Sequence, residues 1–132
     1  MLWREIMGKF VIKAAKIGVM FNLKASNGEI IATSEVYTTK SACKKGITSV
    51  AKNAPVAGVE DQTQEGFEKV KHPKFEIYND KSGDFRFRLK AKNGEIIAAS
   101  ESYKSLKSCI NGIESVKKNA AEGNIEDITE EA

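Results

Sequence analysis

The chain repeats itself at a spacing of 66 residues. Residues 21–54 align without a gap on residues 87–120, and about 21 of the 34 aligned positions are identical. The match continues on both sides, where 8–12 corresponds to 73–77 and 59–63 to 125–129. Two copies are too few for a solenoid, which usually needs at least about three repeats to bury its faces. A pair favours two halves that close on each other about a pseudo-two-fold axis, as a homodimer would.

Each repeat contains two alternating apolar segments joined by a turn signal. In both copies the motif F-x-I is followed by F-x-L-x-A, and this alternation is typical of half-buried strands. An Asn-Gly pair comes next, as Asn27-Gly28 in one copy and Asn93-Gly94 in the other. Because both residue types tolerate a positive φ, the pair predicts a two-residue hairpin loop.

A two-residue loop would fix which side chains face the core. Cross-strand partners share a face, so Ile30 and Ala32 would join the core side of the sheet. Ile31, and Ile97 at the equivalent position, would then lie on the outer face. An outer face left uncovered by the second repeat would offer an apolar strip for a protein partner.

A helix follows the third strand of each repeat. Thr39 and Ser105 occupy the same repeat position and suit an N-cap, whose hydroxyl accepts a bond from a free backbone N–H. Glycine inside a helix costs up to about 1 kcal/mol, so its presence in both copies predicts a close approach of helix and sheet. The apolar helix faces, at i, i+3, i+4 and i+7, are Cys43, Gly46, Ile47 and Val50, and Cys109, Gly112, Ile113 and Val116.

The predicted unit is therefore strand–strand–strand–helix, written twice. One such unit is marginal alone because only one face of its sheet is covered, whereas two units can share a core. We expect a single α+β domain over residues 1–132, formed by internal duplication, with antiparallel sheets and one helix per repeat. Its parts are repeat one (8–63), a connecting segment (64–72) and repeat two (73–129).

The repeated pattern resembles the uncharacterised bacterial YegP-like proteins. In both copies it consists of F-x-I, then F-x-L-K-A-x-N-G-E-I-I-A-x-S-E-x-Y, then C-x-x-G-I-x-S-V. The resemblance implies a tandem βββα fold with the two repeats intertwined in one antiparallel α+β domain. It implies no activity, cofactor or site residue. Residues before Met7 lie outside the pattern, which leaves both Met1 and Met7 open as the start.

Composition and residue inventory argue against several classes of protein. The longest apolar runs span a few residues, far short of the roughly 20 that cross a bilayer, and we expect a cytoplasmic protein. Cys43 and Cys109 are 66 positions apart, too distant for a zinc motif, and we expect reduced, buried thiols. His72 has no nucleophile marked beside it, so we expect no enzyme and no cofactor.

Paired carboxylates leave a metal-dependent enzyme as the weakest alternative. They occur as Glu60-Asp61 and Glu126-Asp127, each after a helix. Paired acids can bind metals or transfer protons. No further ligand spacing accompanies these pairs, so we interpret them as solvated.

Nucleic-acid binding is the sharper alternative function. The segment FRFRLKAK places Arg86, Arg88 and Lys90 on one face of a strand, and the first helix adds Lys44 and Lys45. The same register sets Lys92 opposite Glu95 and Arg86 opposite Glu101, which weakens the positive face. With a net charge of +3, the chain gives only a weak indication of an acidic partner.

The preferred hypothesis is an interaction or accessory module of unknown function. Its partner would be a protein that docks on the outer face around Ile31 and Ile97. Weak, non-specific nucleic-acid binding through the basic strand is the alternative. We expect a monomer with pseudo-two-fold symmetry or a weak homodimer, with no membrane partner.

Overall fold

The computed structural model describes residues 8–129. Residues 1–7, which include the two candidate start positions Met1 and Met7, and residues 130–132 lie outside the described part. No helix in residues 8–129 is both long and apolar enough to cross a membrane.

The described residues form an α+β structure, as the sequence predicts. The helices are α1 (Lys40–Asn53) and α2 (Leu106–Ala120). The strands are β1 (Lys9–Ala15), β2 (Gly18–Lys24), β3 (Ile30–Thr33), β4 (Gly58–Asp61), β5 (Lys74–Asn79), β6 (Phe85–Lys90), β7 (Ile96–Ala99) and β8 (Ile125–Asp127).

The strands form one mixed sheet in the order β4-β5-β6-β7-β3-β2-β1-β8. The five inner pairings are antiparallel, but β4 pairs with β5, and β8 with β1, in parallel. The prediction of purely antiparallel sheets is therefore wrong. It failed because the short segments after the helices form strands too, and each joins the first strand of the other half of the chain.

Both helices cover the same face of this sheet. The strand register places Phe21 of β2 and Phe87 of β6 on one face. A Cβ added to Gly46 of α1 would lie 3.2 Å from the Phe21 ring, and one added to Gly112 of α2 would lie 3.1 Å from the Phe87 ring. The core therefore lies between the helices and this face. In the part of the chain that the structure describes, the opposite face carries no helix.

The predicted helix starts are confirmed. The Thr39 hydroxyl accepts a hydrogen bond from the Ala42 N–H at 3.1 Å, and the Ser105 hydroxyl accepts one from the Ser108 N–H at 3.1 Å. The predicted apolar faces of both helices are buried. Polar N-caps and an apolar period of 3.6 residues are local signals, which explains why the sequence predicts them well.

The hairpin loops have three residues, not two. The Gly28 N–H donates to the Ala25 carbonyl at 2.9 Å, and the Ala25 N–H donates to the Glu29 carbonyl at 2.9 Å. Gly28 has a φ of 87°, whereas Asn27 does not have a positive φ and its Oδ1 instead accepts from the Glu29 N–H. This arrangement is a type I turn with a left-handed glycine. Asn93 and Gly94 repeat it, with a φ of 86° at the glycine.

The longer loop reverses the predicted burial of the paired isoleucines. Ile30 and Ile96 are 37% and 48% exposed, while Ile31 and Ile97 are only 8% exposed and belong to the buried core cluster. A β-bulge at Leu23 restores the predicted register farther along the strands. The expected apolar strip around Ile31 and Ile97 is therefore not a free surface.

Candidate functional site

The basic residues predicted on β6 are held by acidic neighbours. Their side chains lie on the helix-free face, opposite to Phe87. Arg86 Nε lies 2.8 Å from Asp80 Oδ2, and Arg88 Nε lies 2.7 Å from Glu76 Oε1. Lys90 Nζ is 3.2 Å from the same Glu76 oxygen. Arg86 therefore pairs with Asp80 and not with Glu101, and residues 8–129 contain no Lys92–Glu95 ion pair.

A buried charge cluster continues from β5 onto β4. Lys74 Nζ lies 2.8 Å from Glu60 Oε1 and 3.2 Å from Glu76 Oε2. Glu60 also accepts hydrogen bonds from the Gln62 side chain and the Val70 N–H, both at 2.8 Å. Glu60 and Glu76 are only 2% and 3% exposed. The cluster therefore satisfies its own charges and leaves no bare positive strip.

Hydrogen bonding keeps the acids of this cluster ionised. Burial opposes ionisation of Glu60, but its bonds from Gln62, Lys74 and Val70 outweigh burial and lower its pKa to about 2. Burial likewise opposes ionisation of Glu76, and bonds from basic neighbours lower its pKa. The bond to Glu60 raises the pKa of Lys74. These shifts describe a structural ion cluster with no proton donor poised near neutral pH.

A comparison of the two repeats contains the signal that predicts this pairing. In the first repeat Val11 lies opposite Asn22, and at the equivalent positions of the second repeat Glu76 lies opposite Arg88. Both positions therefore change between the repeats: the uncharged pair of the first repeat is replaced by an ion pair in the second. By contrast, Lys74 contacts Glu60 only because β4 pairs with β5 of the other half of the chain. No local sequence pattern indicates that pairing.

The predicted helix lysines lie on the other side of the sheet. Lys44 and Lys45 are exposed on α1, where they line a depression of about 520 Å³ with Ser41 and Thr48. Because α1 covers the core face, Arg86 and Arg88 point away from the helix lysines. Lys45 and Lys90 line neighbouring cavities, but both cavities also contain Glu35 and Glu95. The residues predicted for a nucleic-acid interface therefore do not form one continuous basic surface.

The centre of the sheet contains an opening between β3 and β7, which we call the seam. The two strands pair through Thr33 and Ala99. Beyond Thr33 the chain follows β2: the Ser34 N–H donates to the Phe21 carbonyl at 2.9 Å, and the Ser34 hydroxyl accepts from the Phe21 N–H at 2.9 Å. The seam therefore opens next to Ser34.

A β-bulge displaces the next two residues from the sheet. The Ser34 hydroxyl donates to the Glu35 carbonyl at 2.7 Å, and regular pairing resumes with the bridge between Tyr37 and Val19. Glu35 and Val36 lie between these two fixed points and are exposed. The bulge thus presents the Glu35 carboxylate at the seam, while the exposed Val36 side chain lies beside Gly18 of β2.

Three adjoining cavities of about 210, 290 and 490 Å³ surround this opening. Glu35 and Ile96 line all three cavities. The first seam site, as we define it, consists of the bulge and the facing start of β7: Glu35, Val36, Tyr37, Glu95, Ile96 and Ile97.

The repeat places an equivalent set of residues on the other side of the Thr33–Ala99 pair. Burial, followed by the charges of Glu35, Cys43 and Glu95, raises the pKa of Tyr37. The equivalent environment comprises Tyr103, whose pKa is raised by burial and by Cys109, Glu101 and Glu29. The second seam site is therefore Glu101, Ser102, Tyr103, Glu29, Ile30 and Ile31. Each site combines residues from both halves of the chain.

The two cysteines are buried free thiols, as predicted. Burial, with a smaller contribution from Asp61, raises the pKa of Cys109 to about 11. Burial, with Asp127, also raises the pKa of Cys43. A reactive cysteine needs a lowered pKa and some exposure, so neither thiol is suited to nucleophilic chemistry.

The paired carboxylates lie at the two edges of the sheet, and the solvated interpretation is wrong for Glu60. The Asp61 carboxylate accepts hydrogen bonds from the Thr63 N–H and hydroxyl. Asp127 binds Thr129 in the same way and lies 3.1 Å from Lys40 Nζ. Residues 8–129 contain no cluster of three or more His, Cys, Asp or Glu side chains that could hold a metal ion.

Comparison with solved structures shows two close matches to the whole fold. The solution NMR structure of yegP from E. coli, described as a protein of unknown function, is 36% identical with a TM-score of 0.75, and the match covers 96% of this chain and 97% of that one. The NMR structure of a UPF0339 protein from Shewanella oneidensis is 34% identical with a TM-score of 0.75, over 94% and 93% of the two chains.

Sequence relatives agree with the structural matches. UPF0339 protein YegP of Yersinia pestis is 44% identical over 124 residues, which are 93% of this chain and 97% of that protein. A UPF0339 protein of Photorhabdus laumondii is 46% identical over 109 residues, 83% of this chain and 82% of its own. A family model described as a domain of unknown function, DUF1508, matches residues 17–61 and again 80–127. The chain therefore belongs to the UPF0339 family of YegP-like proteins, a family of unknown function.

Proposed function

We propose that this protein is a non-enzymatic interaction module that binds protein partners at its two seam sites. The observation that carries the proposal is a set of exposed residues that are identical in the two repeats and that converge at the seam. These residues are Glu29, Ile30 and Glu35 in the first repeat and Glu95, Ile96 and Glu101 in the second.

Most other identical positions have a structural role. Asn27 and Gly28 form the turn, and the identical apolar residues lie in the core. Lys52 and Lys118 are the remaining exposed identical pair, near the ends of the helices. Glu29 and Glu95 form the turn bonds with their backbone groups alone, and the side chains of the seam glutamates, Ile30 and Ile96 are exposed. Binding of a partner is a reason for both repeats to retain them.

The chemistry of the thiols supports a non-enzymatic role in the cytoplasm. Cys43 and Cys109 are buried and form no disulfide, and burial raises the pKa of both thiols. A raised pKa lowers the thiolate fraction, which makes a thiol a poor nucleophile. Unpaired cysteines of this kind are typical of a reducing compartment.

We further infer that the domain arose by internal duplication and that its two repeats are intertwined. Repeat one (8–63) and repeat two (73–129) each supply three antiparallel strands, a helix and a short parallel strand. When each strand is replaced by its equivalent in the other repeat, the strand order β4-β5-β6-β7 becomes β8-β1-β2-β3. This is the order of the other half of the sheet, counted inward from its own edge. This order supports one domain with a pseudo-two-fold axis at the seam.

The proposed function is tested by selecting a phage library of random dodecapeptides against the wild-type protein. Peptides that also bind the variant Ile30→Ser with Ile96→Ser, which changes both seam sites, are removed, because these exposed side chains can be changed without disturbing the core. We expect enriched peptides that shift the amide NMR signals of residues 29–37 and 95–103. The unrelated exposed substitution Ile17→Ser is the control and should leave binding unchanged.

Absence of any enriched peptide would contradict the proposal. Enriched peptides that bind the seam variant as well as the wild-type protein would also contradict it, since their site would then lie elsewhere.

A further inference from the structure

Each seam site contains a pair of glutamates, on a chain whose net charge is +3. Glu35 and Glu95 line the same cavity, and both are exposed. Within the described residues, neither carboxylate forms an ion pair. Glu29 and Glu101 of the second seam site are likewise exposed and form no ion pair there. Lys90 also lines one of the cavities of the first site, but its Nζ lies 3.2 Å from Glu76 Oε1. Each site therefore offers an incoming cation two carboxylates that form no ion pair among the described residues.

Apolar surface lies directly beside these carboxylates. In the first seam site Ile96 is 48% exposed and follows Glu95 in the chain, and in the second Ile30 is 37% exposed and follows Glu29. The cavity along the seam continues over Ala98 and Ala99 of β7. A peptide that matches this surface carries basic and apolar side chains at neighbouring positions. An extended segment in which the two kinds alternate has this arrangement, because successive side chains point to opposite faces.

We propose that each seam site binds an extended peptide segment of a partner protein, with a lysine or arginine side chain between the two glutamates and an apolar side chain against the adjacent isoleucine. This inference rests on the proposed function and names the chemistry of its partner. The two sites are related by the repeat, so the protein binds two such segments.

The two sites differ in one charged position. Lys45 lines the first seam site, whereas the equivalent position of the second repeat is Asn111. Lys45 forms no ion pair with the seam glutamates among residues 8–129. Its charge should still weaken binding of a cation at the first site. We therefore expect the second site to bind basic segments more tightly, and Lys45→Asn to strengthen the first.

The test uses three labelled octapeptides, (Lys-Val)4, (Ser-Val)4 and (Glu-Val)4, with isothermal titration at low and moderate salt. The basic peptide should bind with a stoichiometry of two, at least about fivefold more tightly than the neutral one, and less tightly as salt rises. The acidic peptide should not bind. Non-specific attraction cannot mimic this preference, because the protein itself carries a net charge of +3.

Two charge variants locate the binding. Glu35→Gln with Glu95→Gln should lower the stoichiometry for (Lys-Val)4 from two to one. The control, Glu65→Gln with Glu68→Gln, makes the same change of net charge in the exposed connecting segment and should keep both sites. Equal melting temperatures of the two variants would show that the seam substitutions leave the fold intact.

Several outcomes overturn the inference. Equal binding of the basic and neutral peptides, or an unchanged stoichiometry in the seam variant, would show that the carboxylates do not select the occupant. Self-association that the seam variant abolishes would identify a second copy of this chain as the occupant. If none of the octapeptides binds while the phage selection succeeds, the proposal of a basic peptide segment is wrong and the proposed interaction function stands. If both experiments fail, both proposals are rejected.

Discussion

Gly46 and Gly112 are the residues at which each helix meets a tyrosine. A Cβ added to Gly46 would overlap Tyr37 Oη and lie 2.8 Å from its Cζ, and a Cβ added to Gly112 would meet Tyr103 in the same way. Each tyrosine ring is also stacked on a core phenylalanine, which limits its freedom to move. The repeated glycine is therefore needed for close packing, as predicted, although its neighbour is a tyrosine side chain and not the sheet backbone.

We expect Gly46→Ala to destabilise the protein by about 1–3 kcal/mol, because overpacking against Tyr37 exceeds the gain of up to about 1 kcal/mol in helix propensity. Thr48→Ala on the exposed side of the same helix is the control and should cost less than about 0.5 kcal/mol. Urea unfolding measures both. A Gly46→Ala protein as stable as wild type would show that the tyrosine shifts freely.

Glu60 and Glu126 occupy equivalent positions in the two repeats but differ in burial. Glu60 is 2% exposed and bonded to Lys74, whereas the Glu126 side chain is 48% exposed and lies 2.8 Å from Lys9. We expect Glu60→Gln to cost about 3–5 kcal/mol, since one partner of a buried ion pair is removed. Glu126→Gln should cost less than about 1 kcal/mol. Equal losses in chemical denaturation would contradict this assignment.

The same carboxylate makes stability depend on pH. The folded-state pKa of Glu60 is about 2, below its ordinary value of 4.5. Its contribution is therefore complete above about pH 5 and is lost as the pH falls toward 2. The stability difference between wild type and Glu60→Gln should shrink over this range, as measured by urea unfolding at a series of pH values. A difference that stays constant from pH 6 to 2.5 would refute the lowered pKa.

At the scale of the elements, local signals predict the helices and strands well and the loops less well. Thr39 and Ser105 mark the helix starts because capping depends on one side chain and a nearby N–H. The Asn27-Gly28 pair correctly indicates a hairpin but not its length. Two-residue and three-residue loops both accept this dipeptide, and only the hydrogen bonds of Ala25 distinguish them.

The candidate site was missed from the sequence because it depends on contacts between distant elements. The seam places the hairpin residue Glu95 beside Glu35 of the other half, and the pairing of Thr33 with Ala99 is what brings them together. Repeat identity at exposed positions is the available signal. Turn formation accounts for the identity of Asn27 and Gly28 but not for that of the glutamates.

The bulge next to the seam depends on Ser34. Ser34 is 7% exposed, and its hydroxyl accepts a hydrogen bond from the Phe21 N–H and donates one to the Glu35 carbonyl. We expect Ser34→Ala to cost about 1–3 kcal/mol, because a buried N–H loses its partner. The amide NMR signals of Glu35 and Val36 should shift most. The exposed control Ser41→Ala should change neither stability nor these signals, and an unchanged bulge in Ser34→Ala would show that the serine does not form it.

At the scale of the whole molecule, the two halves of the chain are joined by more than the connecting segment. Residues 58–61 pair with residues 74–77, and residues 125–127 pair with residues 10–12. Helix α2 also contacts β1, β2 and β3 of the first half, and α1 contacts β7 of the second. Separation of the halves would therefore expose a shared core and remove a strand from each edge of the sheet.

This arrangement predicts that the chain can be cut without coming apart. Residues 64–69 are exposed, so a specific protease site can be inserted between Glu65 and Gly66. After cleavage, we expect the two fragments to elute together at the volume of the intact protein, since burial of the common core outweighs the lost covalent link. Mass spectrometry should find them in equal amounts, and the melting temperature should become concentration-dependent, as for a dimer. Fragments that elute separately under native conditions would show that each half keeps its own core, and the intertwined arrangement would then be wrong.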